Sequence, residues 1–89
     1  MARFIVVHTP NLEITQDQLF ESAREIWNSL EPGVQWLNTW SAGDANKVFC
    51  EWEAPDAETI RRILAQQVEH IMSTDEIHSV VHIDPNLFK

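Results

Sequence analysis

Cysteine occurs once in this chain, at Cys50, so no internal disulfide can form, and a lone thiol placed mid-strand fits a reducing, cytoplasmic compartment. Glycine is nearly as scarce. Gly33 and Gly43 stand alone, which excludes the glycine-rich loops that cradle phosphates. Basic residues number 6 against 14 acidic ones, a formal net charge of −8. That balance repels phosphate backbones and anionic lipid, and the one basic pair, Arg61-Arg62, reads as the solvated side of a helix. Nucleic acid and membrane surfaces are therefore not expected as partners. No run of about 18 apolar residues spans a bilayer, and Met1-Ala2-Arg3-Phe4 enters a short apolar strand with no secretory h-region ahead of it. Tight metal spacings such as HxxH, HExxH and CxxC are absent too.

What is present specifies a fold. The 89 residues make one domain, 1–89, with ordinary apolar content and no linker. Arg3 to His8 is rich in β-branched and aromatic residues and predicts a first strand, ended by Thr9-Pro10-Asn11. Thr15 is an N-cap, Gln18 completes a capping box three residues later, and Ile14 is placed to staple onto Leu19. Leu19, Phe20, Ala23, Ile26, Trp27 and Leu30 recur at helical spacing until Pro32-Gly33 stops the helix. Val34 to Trp40 and Lys47 to Glu53 predict a hairpin across the polar loop 41–46. Pro55 or Asp56 opens a second helix whose buried face carries Ile60, Ile63, Leu64, Gln67, Val68 and Ile71. Ser73-Thr74-Asp75 breaks it, and Glu76 to Asp84 predicts the last strand before Pro85. The order β-α-β-β-α-β predicts a ferredoxin-like α+β sandwich, two helices on one face of an antiparallel sheet in strand order four-one-three-two.

Strand alternation assigns faces. Val48, Cys50 and Trp52 oppose Phe49, Glu51 and Glu53, and the apolar set belongs under the helices. In the last strand Ile77, Ser79, Val81 and Ile83 oppose His78, Val80 and His82. Ile5 and Val7 are assigned to the core, which leaves Phe4, Val6 and His8 on the open face. The second strand resists assignment, because Trp36 and Trp40 share a face with Asn38 while Leu37 opposes them. An open face mixing Phe4, Val6, Phe49 and Val80 with histidines and glutamates calls for a cover. A second copy packed sheet to sheet, as an eight-stranded barrel-like homodimer, is the simplest one.

On these assignments His8 falls opposite His78, within reach of one shared ion. His82 lies about 13 Å further along the strand, towards Glu51 and Glu53, at about 3.3 Å per residue. Imidazole with carboxylate suits borderline divalent ions such as nickel or zinc. Binding of this kind weakens as pH falls through the histidine range near 6.5, because only the neutral imidazole is a ligand. The plain alternative is that these are polar positions at a strand edge or interface. Cys50 reads as a small buried hydrophobe, His70 as a solvated residue near a helix C-terminus, and Trp27, Trp36, Trp40 and Trp52 as core and interface mass. A cavity lined by those tryptophans would suit an apolar ligand.

Trp36-Leu37-Asn38-Thr39-Trp40, followed by a polar loop and Val48-Phe49-Cys50-Glu51-Trp52-Glu53-Ala54-Pro55-Asp56-Ala57-Glu58, resembles a family of small bacterial proteins described as nickel-binding-protein-like, formerly a domain of unknown function. Phe4-Ile5-Val6-Val7-His8 and Ile77-His78-Ser79-Val80-Val81 are similar to it as well, with His8 matching a histidine at the end of the first strand. Thr9-Pro10-Asn11 replaces the usual glycine-rich turn. The resemblance implies a ferredoxin-like dimer with nickel as ligand, no organic cofactor and no established enzymatic role.

Two functions from different classes follow. The first is a small cytoplasmic homodimeric binding protein that holds a divalent metal through His8 and His78, with His82, Glu51 and Glu53 as a second cluster. The second is a cofactor-free monooxygenase- or isomerase-like enzyme of the dimeric α+β barrel type. There His8 or Glu51 serves as general base on a small aromatic or polyketide-like substrate between sheet and helices. A plain dimerising stress or regulatory protein is a third option.

Overall fold

The computed structural model describes residues 2–89. Its elements run β1 (Ala2–Pro10), α1 (Gln16–Asn28), β2 (Gln35–Ala42), β3 (Lys47–Ala54), α2 (Ala57–Gln67), β4 (Met72–Val80) and a closing 3₁₀ turn at Pro85–Phe88. The sheet is antiparallel in the order β2-β3-β1-β4, so the expected ferredoxin-like βαββαβ topology is the one adopted. Both helices start where the sequence says. The Thr15 hydroxyl accepts the Gln18 amide at 3.2 Å while the Gln18 side chain accepts the Thr15 amide at 2.9 Å, and Asp56 accepts the Thr59 amide at 2.8 Å. Each bond satisfies an amide that a helix start leaves unpaired.

The core forms where the apolar faces of β1, β3 and β4 meet the stripes of the two helices. Trp52, Ile60, Leu64, His8 and Val6 are its largest fully buried side chains. Trp52 stacks on Trp36 with ring centroids 5.9 Å apart and planes 14° apart. Ile60, Ile63 and Leu64 line the buried side of α2 as expected, while Val68 and Ile71, expected on the same helix face, reach the core from the C-cap and the turn beyond it. The stripe on α1 is narrower than its sequence suggests: Leu19 and Ile26 pack inward, but Phe20 and Trp27 are exposed. The two are seven residues apart and so lie on one flank of the helix, beyond the edge of the sheet contact.

Strand β1 reverses the expected assignment. Phe4, Val6 and His8 lie under the helices, and Ile5 and Val7 face the open side. The cause is pairing. Phe4 sits opposite Trp52, Val6 opposite Cys50 and His8 opposite Val48, and directly opposed residues of an antiparallel ladder share a face. The glutamates of β3 fix which of its faces is buried, and β1, apolar on both faces, follows its neighbour.

A bulge settles β2. Trp36 pairs with Trp52 and Asn38 with Glu51, so Leu37 is an extra residue that resets the alternation. Trp36 therefore turns into the core, while Asn38 and Trp40 face out. A second irregularity lies in β4, where Val7 pairs with Glu76 but His8 with Thr74, leaving Asp75 between them. Asp75 is pinned there by the Thr9 hydroxyl, by Ser73 Oγ at 2.7 Å and by Lys47 Nζ at 3.3 Å. Ser73-Thr74-Asp75 is thus strand rather than a break, because Ser73 and Thr74 pair with Thr9 and His8 and Asp75 is the bulge between Thr74 and Glu76. The strand stops at Val80, so His82 lies beyond it rather than inside.

Candidate functional site

The structure separates the two histidines that the alternation had placed together. His8 is 1% exposed on the helix side of the sheet. Its Nδ1 lies 3.2 Å from the Ser73 carbonyl oxygen and 3.4 Å from Thr74 Oγ1. His78 pairs with Ile5, faces the open side and has a side chain 55% exposed. The sheet itself stands between them, so His8 and His78 do not share an ion within one chain. Two things part them: the reversed face of β1, and a register that sets His78 opposite Ile5 and His8 opposite Thr74.

Glu51 and Glu53 do lie on one face, as expected, but Arg3 takes both. Its Nη1 is 3.4 Å from Glu51 Oε2 and its Nη2 2.9 Å from Glu53 Oε1. Asn38 Nδ2 donates to Glu51 at 2.8 Å. His82 lines the same shallow recess as Glu51, Arg3 and Trp40, yet Glu51, the one carboxylate there, is already paired with the Arg3 guanidinium. Among the described residues no three His, Cys, Asp or Glu side chains converge as a metal cage.

One imidazole–carboxylate pair does meet on the open face. His78 Nε2 lies 3.2 Å from Glu76 Oε1, both on the outward side of edge strand β4. Residues at i and i+2 of a strand point the same way, so Glu76-x-His78 was legible as a pair. The expected last strand, Glu76 to Asp84, already holds both residues, and only the assignment of His8 to the open face points His78 to a different partner. Nitrogen and carboxylate oxygen together suit nickel or zinc, and two such donors make half a site.

On the helix side, His8 and Cys50 line a partly open cavity. Burial lowers the His8 pKa from its ordinary value, against a smaller upward pull from the Ser73 carbonyl and from Asp75. The ring therefore stays neutral near pH 7. Burial pushes the Cys50 thiol up to about 11, although Thr39 Oγ1 donates a hydrogen bond to its sulfur at 3.2 Å. His8 and Cys50 are the only imidazole and thiol in that lining, and no carboxylate joins them there. Glu51, named beside His8 as a possible base, lies on the other face and has no access to this cavity.

These environments predict a two-stage acid response. The unfolded chain takes up a proton at His8 more readily than the native one does. Stability is then full above roughly pH 6.5 and declines as pH falls below it. Asp75 is held down to about 2 by the Thr9, Ser73 and Lys47 contacts, so its contribution is present above its ordinary range near 4 and fades towards pH 2. Denaturant midpoints measured from pH 7 to 2 are expected to show the first decline flattened in His8→Gln and the second in Asp75→Asn. Identical profiles for all three proteins would contradict these assignments.

Fold and exposed pair together define a small ferredoxin-like α+β protein with an outward imidazole–carboxylate pair on an edge strand. The chain belongs to the family described as nickel responsive protein SCO4226-like, whose sequence profile matches residues 4–80. It is similar to SCO4226 from Streptomyces coelicolor A3(2), whose crystal structure aligns with a TM-score of 0.75 and 26% identity, covering 93% of this chain and 100% of that one. No protein of curated function matches the chain. Among the described residues, no helix is long and apolar enough to cross a membrane.

Proposed function

We propose that this chain is a nickel-binding protein that works as a homodimer in the cytoplasm, with the ion held by His78 and Glu76 of one copy and the same pair of a second. Membership of the nickel-responsive family over residues 4–80 is the observation that carries the reading. Two pairs would supply two imidazoles and two carboxylates, a donor set suited to nickel. The homodimer has independent support. Trp40, Val81 and Ile83 are exposed large apolar groups bordering one recess of the open face, and Leu87 and Phe88 further along the same tail are exposed too. A patch of that kind on a small domain marks an interaction surface.

Calorimetric titration of the metal-stripped protein with nickel chloride tests the reading. One ion per two chains is expected. Loss of a direct ligand in His78→Ala should weaken binding by about 100-fold or more, since even supporting groups around a metal cost 10–100-fold. His8→Ala should leave binding unchanged. No heat from the wild type, or loss on His8→Ala alone, would overturn the proposal.

A further inference from the structure

The cavity between the sheet and the two helices has a volume of about 310 Å³. We propose that it is a binding site for a neutral molecule of one or two fused rings carrying a hydroxyl or carbonyl group. It lies across the sheet from His78 and Glu76 and does not rest on the metal reading.

Size sets the first limit. An apolar protein cavity of about 150 Å³ takes up benzene, so the volume here suits about two rings. The walls set the second. Ile26, Trp36, Trp52, Leu64 and Met72 supply flat and aliphatic surface, and no Lys, Arg, Asp or Glu is among the lining residues. A charged ligand would give up its hydration with nothing to replace it. Phe20, more than half exposed yet part of the lining, stands at the mouth.

The polar groups argue for a ligand rather than an empty defect. Trp52 is 1% exposed, and its Nε1 is the one buried side-chain polar atom among the described residues without a hydrogen-bond partner. Native interiors rarely leave a donor in that condition, and Trp52 is one of the lining residues, so a ligand that opens the wall slightly at the indole would satisfy it with an oxygen. Its stacking partner is already satisfied, because Trp36 Nε1 donates to Thr39 Oγ1 at 2.7 Å. His8 adds a second recognition group. Its Nδ1 donates to the Ser73 carbonyl at 3.2 Å, which leaves Nε2 of the neutral ring an acceptor, and burial favours that neutral form. A hydroxyl can serve either group, and a carbonyl serves the indole.

The test uses 2-naphthol, naphthalene and 2-naphthoate as probes, with the indole N–H resonances of the labelled protein as the readout. Saturable binding of 2-naphthol is expected, shifting the Trp52 indole signal and leaving that of Trp27 in place. Naphthoate should bind weaker by a factor of about ten or more, because its charge must be desolvated. Ala23→Leu, which adds bulk to the lining, should weaken 2-naphthol binding by a similar factor, whereas His78→Ala on the far face should not change it. If Ala23→Leu does not fold, Trp52→Phe supplies the decision: keeping the apolar ring but not the N–H, it should erase the preference for 2-naphthol over naphthalene. No saturable shift, equal binding of naphthoate, or a response confined to Trp27 and Trp40 would overturn the proposal.

Discussion

Trp52→Ala is expected to destabilise the protein by about 3–5 kcal/mol, the cost of deleting a large buried aromatic and leaving a partly unrelaxed void. Small domains have only about 5–15 kcal/mol in total, so the variant should stand near the edge of folding. Trp52 is enclosed on every side by β1, by β2 through the Trp36 stack and by the helices, and its loss removes contacts from all of these. Trp27 gives the internal comparison, because it is 62% exposed on the flank of α1. Trp27→Ala should change stability by about 0.5 kcal/mol or less. Urea denaturation of the three proteins, with the slope checked for constancy, measures both. A Trp52→Ala loss below about 1 kcal/mol would show that the core is not organised around this residue.

Cys50 should resist alkylation in the native protein by a factor of several hundred. Only the thiolate reacts, and a thiol whose pKa stands at about 11 is ionised to roughly one part in a thousand at pH 8, against about a quarter for an ordinary thiol near 8.5. Burial of the sulfur slows the reaction further. Iodoacetamide labelling at pH 8, followed by mass spectrometry with and without denaturant, reads the ratio directly. Native labelling within tenfold of the denatured rate would contradict the environment described for Cys50.

Much of the architecture was legible because several signals agreed. The Thr15–Gln18 capping box, the Asp56 cap, the β3 alternation and the α2 stripe each pointed to one element, and each is found in place. What misled was parity. Phe4-Ile5-Val6-Val7 is apolar on both faces, so nothing within β1 says which side is buried; only its register against β3 does. Leu37 and Asp75 are bulged residues, and alternation read through a bulge inverts. Ser73-Thr74-Asp75 looks like a helix-breaking turn by composition but belongs to β4, because Ser73 and Thr74 pair with Thr9 and His8 of β1.

Those same inversions decided the candidate site. One-residue parity moved His8 from a proposed partner of His78 into the cavity, and an unforeseen cation, Arg3, occupies the carboxylates of β3. The glutamate that meets His78 is two residues away on its own strand. A strand-period reading of Glu76-x-His78 needs no long-range information, whereas the His8–His78 pairing depended on two strands and a register.

Crystals of the nickel-loaded protein, measured at the nickel absorption edge, show where the ion sits. An anomalous peak is expected within bonding distance of His78, at a junction between two copies. A peak beside His8 in the cavity, or none on ordered protein, would contradict this placement.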